Sequence, residues 1–213
     1  MTNVEAQRRQ HILSAAERLL RHYGPAKTTI ADIAKEADVG VGTVYLEFLS
    51  KEAIIEELSR SWHTAVIAAM RSAAGGGAAG GSAARYGERL CAVFDARLES
   101  FLRLAEQGAH ARDLVHCVRP CVQNAHSHFE AAERALLVDF LRAGTQAREL
   151  AVKDLETTAI TLQRAYSSFA PPRIFGQPVD EVRRLHAAMH ELVLNGLLER
   201  PLKRGKRSAA TPE

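Results

Sequence analysis

The run from Thr28 to Glu52, TTIADIAKEADVGVGTVYLEFLSKE, constrains this chain more than any other stretch. It reads as two short helices across a tight turn, followed by the start of a third. Thr28 or Thr29 can cap the first helix, and Asp32 lies three residues beyond Thr29, where a reciprocal capping partner belongs. Ile30, Ile33, Ala34 and Ala37 give that helix one apolar face. Asp38 falls where the chain must turn, and Asp tolerates left-handed backbone better than most residues. Val39 plugs the angle between the helices. Gly42, Thr43, Val44, Tyr45 and Phe48 form the second helix, with Val44 and Phe48 facing inward. Ser50 caps the third, with Lys51 and Glu52 in its first turn. Short helices crossing steeply over such a turn form a helix-turn-helix, whose second helix enters the major groove of DNA.

The pattern T-T-I-A-D-I-A-K-E-A-x-V-x-x-G-T-V-Y-x-x-F-x-S-K-E resembles the TetR family of bacterial helix-turn-helix transcriptional regulators. The likeness runs over about residues 8–60, and Gly42, Thr43, Tyr45 and Lys51 exceed what a turn alone requires. The resemblance implies an all-α fold with a three-helix head at 1–50 and a helical ligand-binding and dimerisation domain at 51–199. It also implies a dimeric repressor that binds an inverted repeat and is released by a small-molecule effector. Thr29, Thr43, Tyr45 and Lys51 match positions that hold phosphates, and Thr28 is grouped with them. Val41, Gly42 and Leu46 match the groove floor. The chain departs from the family at Gly40 and Val41, where a small hydroxyl and a polar residue are common. Glu47 also adds a negative charge near the end of the recognition helix. Two other readings stay open: a metal- or redox-responsive regulator, and a helical interaction module that does not bind DNA.

Charge alone would not have pointed to DNA. Residues 1–60 hold eight Lys and Arg against nine Asp and Glu, and the whole chain of 213 residues carries +3. A few placed cations suffice for phosphate contact. With 46% hydrophobic and 6% aromatic residues, and no sustained strand alternation, the composition favours helix throughout. Met1 to Gln10 is polar and gives no signal-peptide pattern. No apolar run approaches the roughly 18 residues of a membrane span. Three cysteines, an odd count, fit a reducing cytoplasm.

Along the chain, Glu5–Tyr23 reads as a helix with Ile12, Ala16, Leu19 and Tyr23 on one stripe. Lys51 to about Ala74 is a long helix with Ile54, Ile55, Leu58, Trp62, Ala65, Ala69 and Met70 inward. Residues 72–84 are rich in Gly and Ala and read as a loop, since each Gly costs about 1 kcal/mol in a helix. Further helices begin near Arg85 and Pro120, the latter capped by Gly144, then at Asp154 and Pro178. Leu185 and Leu192 are placed on the inward side of the last. The resemblance implies that the last two helices, about 154–170 and 179–198, form the dimer bundle. Leu162, Tyr166, Leu185, Met189, Leu192 and Val193 are its expected contacts. Trp62, Phe94, Phe101, His110, Phe129 and Tyr166 are the expected effector-pocket residues. Residues 200–213, with Lys203, Arg204, Lys206 and Arg207, read as a disordered basic tail.

His116, Cys117, Cys121, His126 and His128 gather soft and imidazole donors that suit Zn²⁺ or Cu⁺. Eleven helical residues rise about 16 Å, too far for Cys117 and His128 to share one ion. Cys117 and Cys121 are therefore only weak metal candidates. No catalytic arrangement stands out and no cofactor is expected.

Overall fold

The computed structural model describes residues 3–75, 85–107, 110–115 and 119–196. The glycine-rich loop and the basic tail inferred from the sequence fall largely outside them. Among these residues eight α-helices follow one another: α1 (Asn3–Tyr23), α2 (Ile30–Glu36), α3 (Val41–Glu47), α4 (Lys51–Ala74), α5 (Tyr86–Ala105), α6 (Pro120–Gln146), α7 (Leu155–Tyr166) and α8 (Val179–Asn195). Short 3₁₀ turns lie at Ala111–Leu114 and Ser167–Phe169. No strand occurs among the described residues, so the all-α class is as expected.

Two apolar clusters build the molecule. The first joins Ile12, Ala16 and Leu20 of α1 to Ile33, Ala34, Val44 and Phe48 of the helix-turn-helix. Ile54 and Ile55 at the start of α4 complete it, with Leu104, Leu114 and Val122 beneath. The second packs Val66, Ile67 and Met70 of α4 against Phe94, Leu98 and Phe101 of α5, with Leu137 and Leu141 of α6 and Tyr166 of α7. Thus α4 anchors the head with one end and the body with the other, and Trp62 touches both clusters.

Several local expectations hold. Thr29 caps α2 and forms the reciprocal capping box with Asp32. Ser50 caps α4 through Ala53 N–H, and Asp154 caps α7 through Thr157 N–H. Asp38 adopts φ +49° at the turn, the left-handed conformation that its position demands.

Other expectations are corrected. Tyr23 is exposed, and Leu20 takes the inward place at the end of α1. Ala65 faces solvent, because α4 turns Ser59, His63 and Val66 inward instead. Gly144 does not cap α6, which continues to Gln146. It lies inside the helix, where the Leu150 side chain and the Tyr86 ring press on its missing Cβ. Leu185 and Leu192 are exposed rather than inside, whereas Val182 and His186 form the buried edge of α8.

Candidate nucleic-acid interface and effector cavity

The head presents α3 with its apolar side covered only in part. Val44 is buried on the side facing α2, while Val41, Tyr45 and Leu46 point outward. Leu46 is 82% exposed and Leu49, just beyond the helix, 91%. Gly42 has nothing near the position of a Cβ, so another surface can approach the backbone closely there. Thr29 is exposed at the α2 cap and Thr43 is half-buried. The hydroxyl of Thr29 also bonds to the Asp32 carboxylate, and these Thr29 bonds hold Asp32 below its usual carboxylate pKa.

Two further expected phosphate contacts are committed within the chain. Thr28 is 2% exposed and its hydroxyl donates to Gly24 O at 2.9 Å. It stabilises the α1–α2 turn and cannot reach DNA directly. Lys51 Nζ donates to Pro25 O at 2.8 Å and Thr28 O at 2.9 Å. One N–H of the ammonium remains for an outside acceptor.

Glu47 does not leave an open negative charge beside the recognition helix. Arg8 Nε donates to its carboxylate at 2.7 Å, and Arg9 reaches its backbone carbonyl and the Glu57 carboxylate. The Arg9 guanidinium also lies 4.0 Å above the Phe48 ring. Sequence reading missed this link between α1 and α3, because pairs so distant along the chain leave no local pattern.

The body holds a cavity of about 400 Å³ between α5, α6 and α7. Its walls include Arg97, His126, Phe129, Glu133, Gln163 and Arg164. Arg97 Nε pairs with Glu133 Oε1 at 2.7 Å, both side chains buried. Arg97 Nη1 donates to Tyr166 O at 3.2 Å, and Gln163 Nε2 donates to Glu133 Oε2 at 3.1 Å. Arg134 Nε in turn donates to Gln163 Oε1 at 3.2 Å. A second cavity of about 230 Å³, between α4 and α6, is lined by His63, Ile67, His128 and Phe129. The His63 ring stacks on Phe129 at 4.8 Å. Burial, with His126 nearby, pushes the His63 pKa down to about 4.

Of the six expected pocket residues, Phe129 lines both cavities. Phe94 and Tyr166 instead stack on one another at 3.7 Å and fill the core. Trp62 tilts against Phe101 at 5.3 Å within the core. His110 pairs with Asp113 at 3.0 Å and packs over Gly24, at the seam between head and body. Of the expected dimer contacts, Leu162 and Tyr166 are buried inside the chain and unavailable. Leu185 and Leu192 are exposed on one side of α8, and Met189 and Val193 lean on the core. Cys117 lies outside the described residues, and Cys121 is half-buried beside the head cluster.

Residues 12–58 match the family model for bacterial regulatory proteins of the tetR family. Over 63 residues the chain is 43% identical to the HTH-type transcriptional regulator TtgR of Pseudomonas putida. That match spans 29% of this chain and 30% of the relative's length. The fold as a whole is similar to a TetR/AcrR-family regulator from Thermobifida fusca, with a TM-score of 0.67 at 21% identity over 89% of this chain and 98% of that one. It is also similar to the regulator FadR from Bacillus subtilis in complex with stearoyl-CoA, with a TM-score of 0.65 at 20% identity over 89% and 99% of the two chains.

Proposed function

Because the chain belongs to the TetR family of bacterial regulatory proteins, we propose that it is a cytoplasmic transcriptional repressor that binds an inverted-repeat operator as a homodimer. The observation that carries this reading is the uncovered face of α3, where Val41, Tyr45 and Leu46 stand out from a helix-turn-helix that is otherwise packed. Such a face has no partner among the described residues of the head, and an α-helix is what a major groove admits. Thr43, Tyr45 and the remaining Lys51 N–H hold phosphates and fix register, and Thr29 joins them only by turning its hydroxyl proton from the Asp32 carboxylate to the phosphate. Val41, Gly42 and Leu46 meet the groove floor, where they offer apolar contact and close backbone approach. The exposed side of α8, with Leu185 and Leu192, meets its copy in the dimer.

The effector occupies the cavity between α5, α6 and α7. The FadR protein of similar fold binds stearoyl-CoA, which supports a ligand in the helical body. Here the walls combine a buried Arg97–Glu133 pair with Gln163, His126 and Arg164. We assign the cavity to a compact polar molecule with an acidic group, because Arg134 and Arg164 line it beside the hydrogen-bonded Arg97, Glu133 and Gln163. The effector releases DNA by preferring a conformation in which the two α3 helices have the wrong spacing, and only to the extent of that preference.

The test is a gel-shift and anisotropy titration of the full chain on the duplex upstream of its own coding region and on a scrambled duplex. Salt-sensitive binding that prefers the native duplex at least tenfold supports the reading. Equal or absent binding to both duplexes rejects it in favour of a helical interaction module.

A further inference from the structure

Outside the head and the cavity, Asp95 of α5 meets His186 and His190 of α8. The two histidines are four residues apart, so they share one helix face. His186 Nδ1 lies 3.3 Å and His190 Nε2 3.0 Å from the same Asp95 Oδ1. The three donor atoms all fall within 4.8 Å of one another. In a tetrahedral site with ligand bonds of about 2.0–2.2 Å, neighbouring donors stand roughly 3.3 Å apart. The cluster is therefore already close to the spacing that a bound ion imposes.

Two further features favour an ion here. Tyr166 Oη lies 2.6 Å from His190 Nδ1, so the far nitrogen can donate its N–H to the phenol while Nε2 faces inward. Holding the outer nitrogen in this way is how proteins orient a metal-binding imidazole. Asp95 is more than half exposed while both histidine side chains are largely buried, which leaves an entry path and a fourth position for water. We propose that Asp95, His186 and His190 bind a borderline divalent metal ion, of which Zn²⁺ is the best fit, and that the ion clamps α8 to α5. Val182 is the buried apolar residue of α8, with Met189 and Val193 packed partly buried on the same cluster, and the ion would add a polar tie to that contact. Two imidazoles with one carboxylate and an open position suit Zn²⁺ better than Ca²⁺ or Mg²⁺, which prefer oxygen donors.

The test uses the full chain purified without a polyhistidine tag, stripped with chelator and titrated with Co²⁺ and then Zn²⁺. The expected result is one equivalent per chain. The visible bands of four-coordinate Co²⁺ should appear and be bleached by Zn²⁺, and Zn²⁺ should raise the thermal midpoint. Asp95→Asn and His190→Gln should each weaken binding at least tenfold and remove the thermal shift. The double variant Cys117→Ser/Cys121→Ser should bind as the parent does. Asp95→Asn keeps the shape of an exposed side chain, so it decides the matter if His190→Gln loses helicity by circular dichroism. Absence of Co²⁺ bands in the parent chain, parent-like binding by Asp95→Asn, or loss of binding in the double serine variant would each overturn the assignment. No arm depends on DNA binding, so the result is independent of the repressor reading.

Discussion

Lys51 spends two of its three N–H donors on Pro25 O and Thr28 O, so its first duty is to hold the α1–α2 turn against α4. Lys51→Ala should lower head stability by about 1–2 kcal/mol, the scale of lost charge-assisted hydrogen bonds. A thermal melt of the DNA-free chain checks this, and a melt unchanged from the parent would rule it out. Leu46→Ala is the contrasting variant. The side chain is 82% exposed, so stability should stay within about 0.5 kcal/mol while operator preference changes. His63 gives a pH dependence of known sign. Its pKa is near 4 in the folded chain, against an ordinary 6.5, because burial disfavours the cation. Above pH 6.5 both states are neutral there and nothing is lost. As pH falls from 6.5 toward 4, the unfolded chain takes up a proton that the folded chain refuses. Stability should therefore drop by up to about 3 kcal/mol over that window and level off below it. Chemical denaturation of the parent and of His63→Leu at several pH values measures the effect, and the variant should show a flatter profile.

The elements were legible where chemistry is local. The Thr29–Asp32 capping box, the left-handed Asp38, the Ser50 and Asp154 caps and Pro120 in the first turn of α6 all came from neighbouring residues. Orientation was harder. In α4 the polar Ser59 and His63 are buried and Ala65 is not, so a stripe drawn from apolar residues was turned away from the true inner face. The cavity was less legible still. Aromatic residues marked it in the sequence, but Phe94 and Tyr166 satisfy each other by stacking. The charged pair Arg97 and Glu133, on different helices, lines it instead. The Asp95–His186–His190 cluster left a trace, since His186 and His190 have helical i, i+4 spacing, but its carboxylate comes from a distant helix. Gly144 carries an element-scale prediction. Leu150 and the Tyr86 ring occupy the space that a methyl group would take, so Gly144→Ala should gain helix propensity but lose more to overpacking. A net destabilisation of about 1–2 kcal/mol is expected, and a denaturant midpoint equal to or above the parent's would contradict it.

At the scale of the whole molecule, the head can read an inverted repeat only if two copies are held at the spacing of the half-sites, about 34–36 Å or a multiple of it. In the proposed assembly that spacing is set by α8, which exposes Leu185 and Leu192 while Val182 and His186 hold the other side to the body. This division separates assembly from folding. A charge at Leu192, which is 47% exposed in the single chain, should leave the monomer fold intact. In the dimer the same charge would be buried without a partner, at a cost of several kcal/mol. Leu192→Glu should therefore sediment as a folded monomer at concentrations where the parent is a dimer. A charge at Leu162, buried in the core of the chain itself, should instead abolish folding. The dissociated Leu192→Glu chain still carries a complete head, so its weak binding to an isolated half-site should match that of a single parent head. It should lose the gain in affinity for the full inverted repeat that the proposed dimer would have, because two heads no longer act as one ligand. Analytical ultracentrifugation paired with binding to half-site and full-site duplexes measures both quantities. A Leu192→Glu chain that remains dimeric would move the interface away from the exposed side of α8. A chain that becomes monomeric yet keeps full-site affinity would show that pairing through α8 does not set the spacing of the heads.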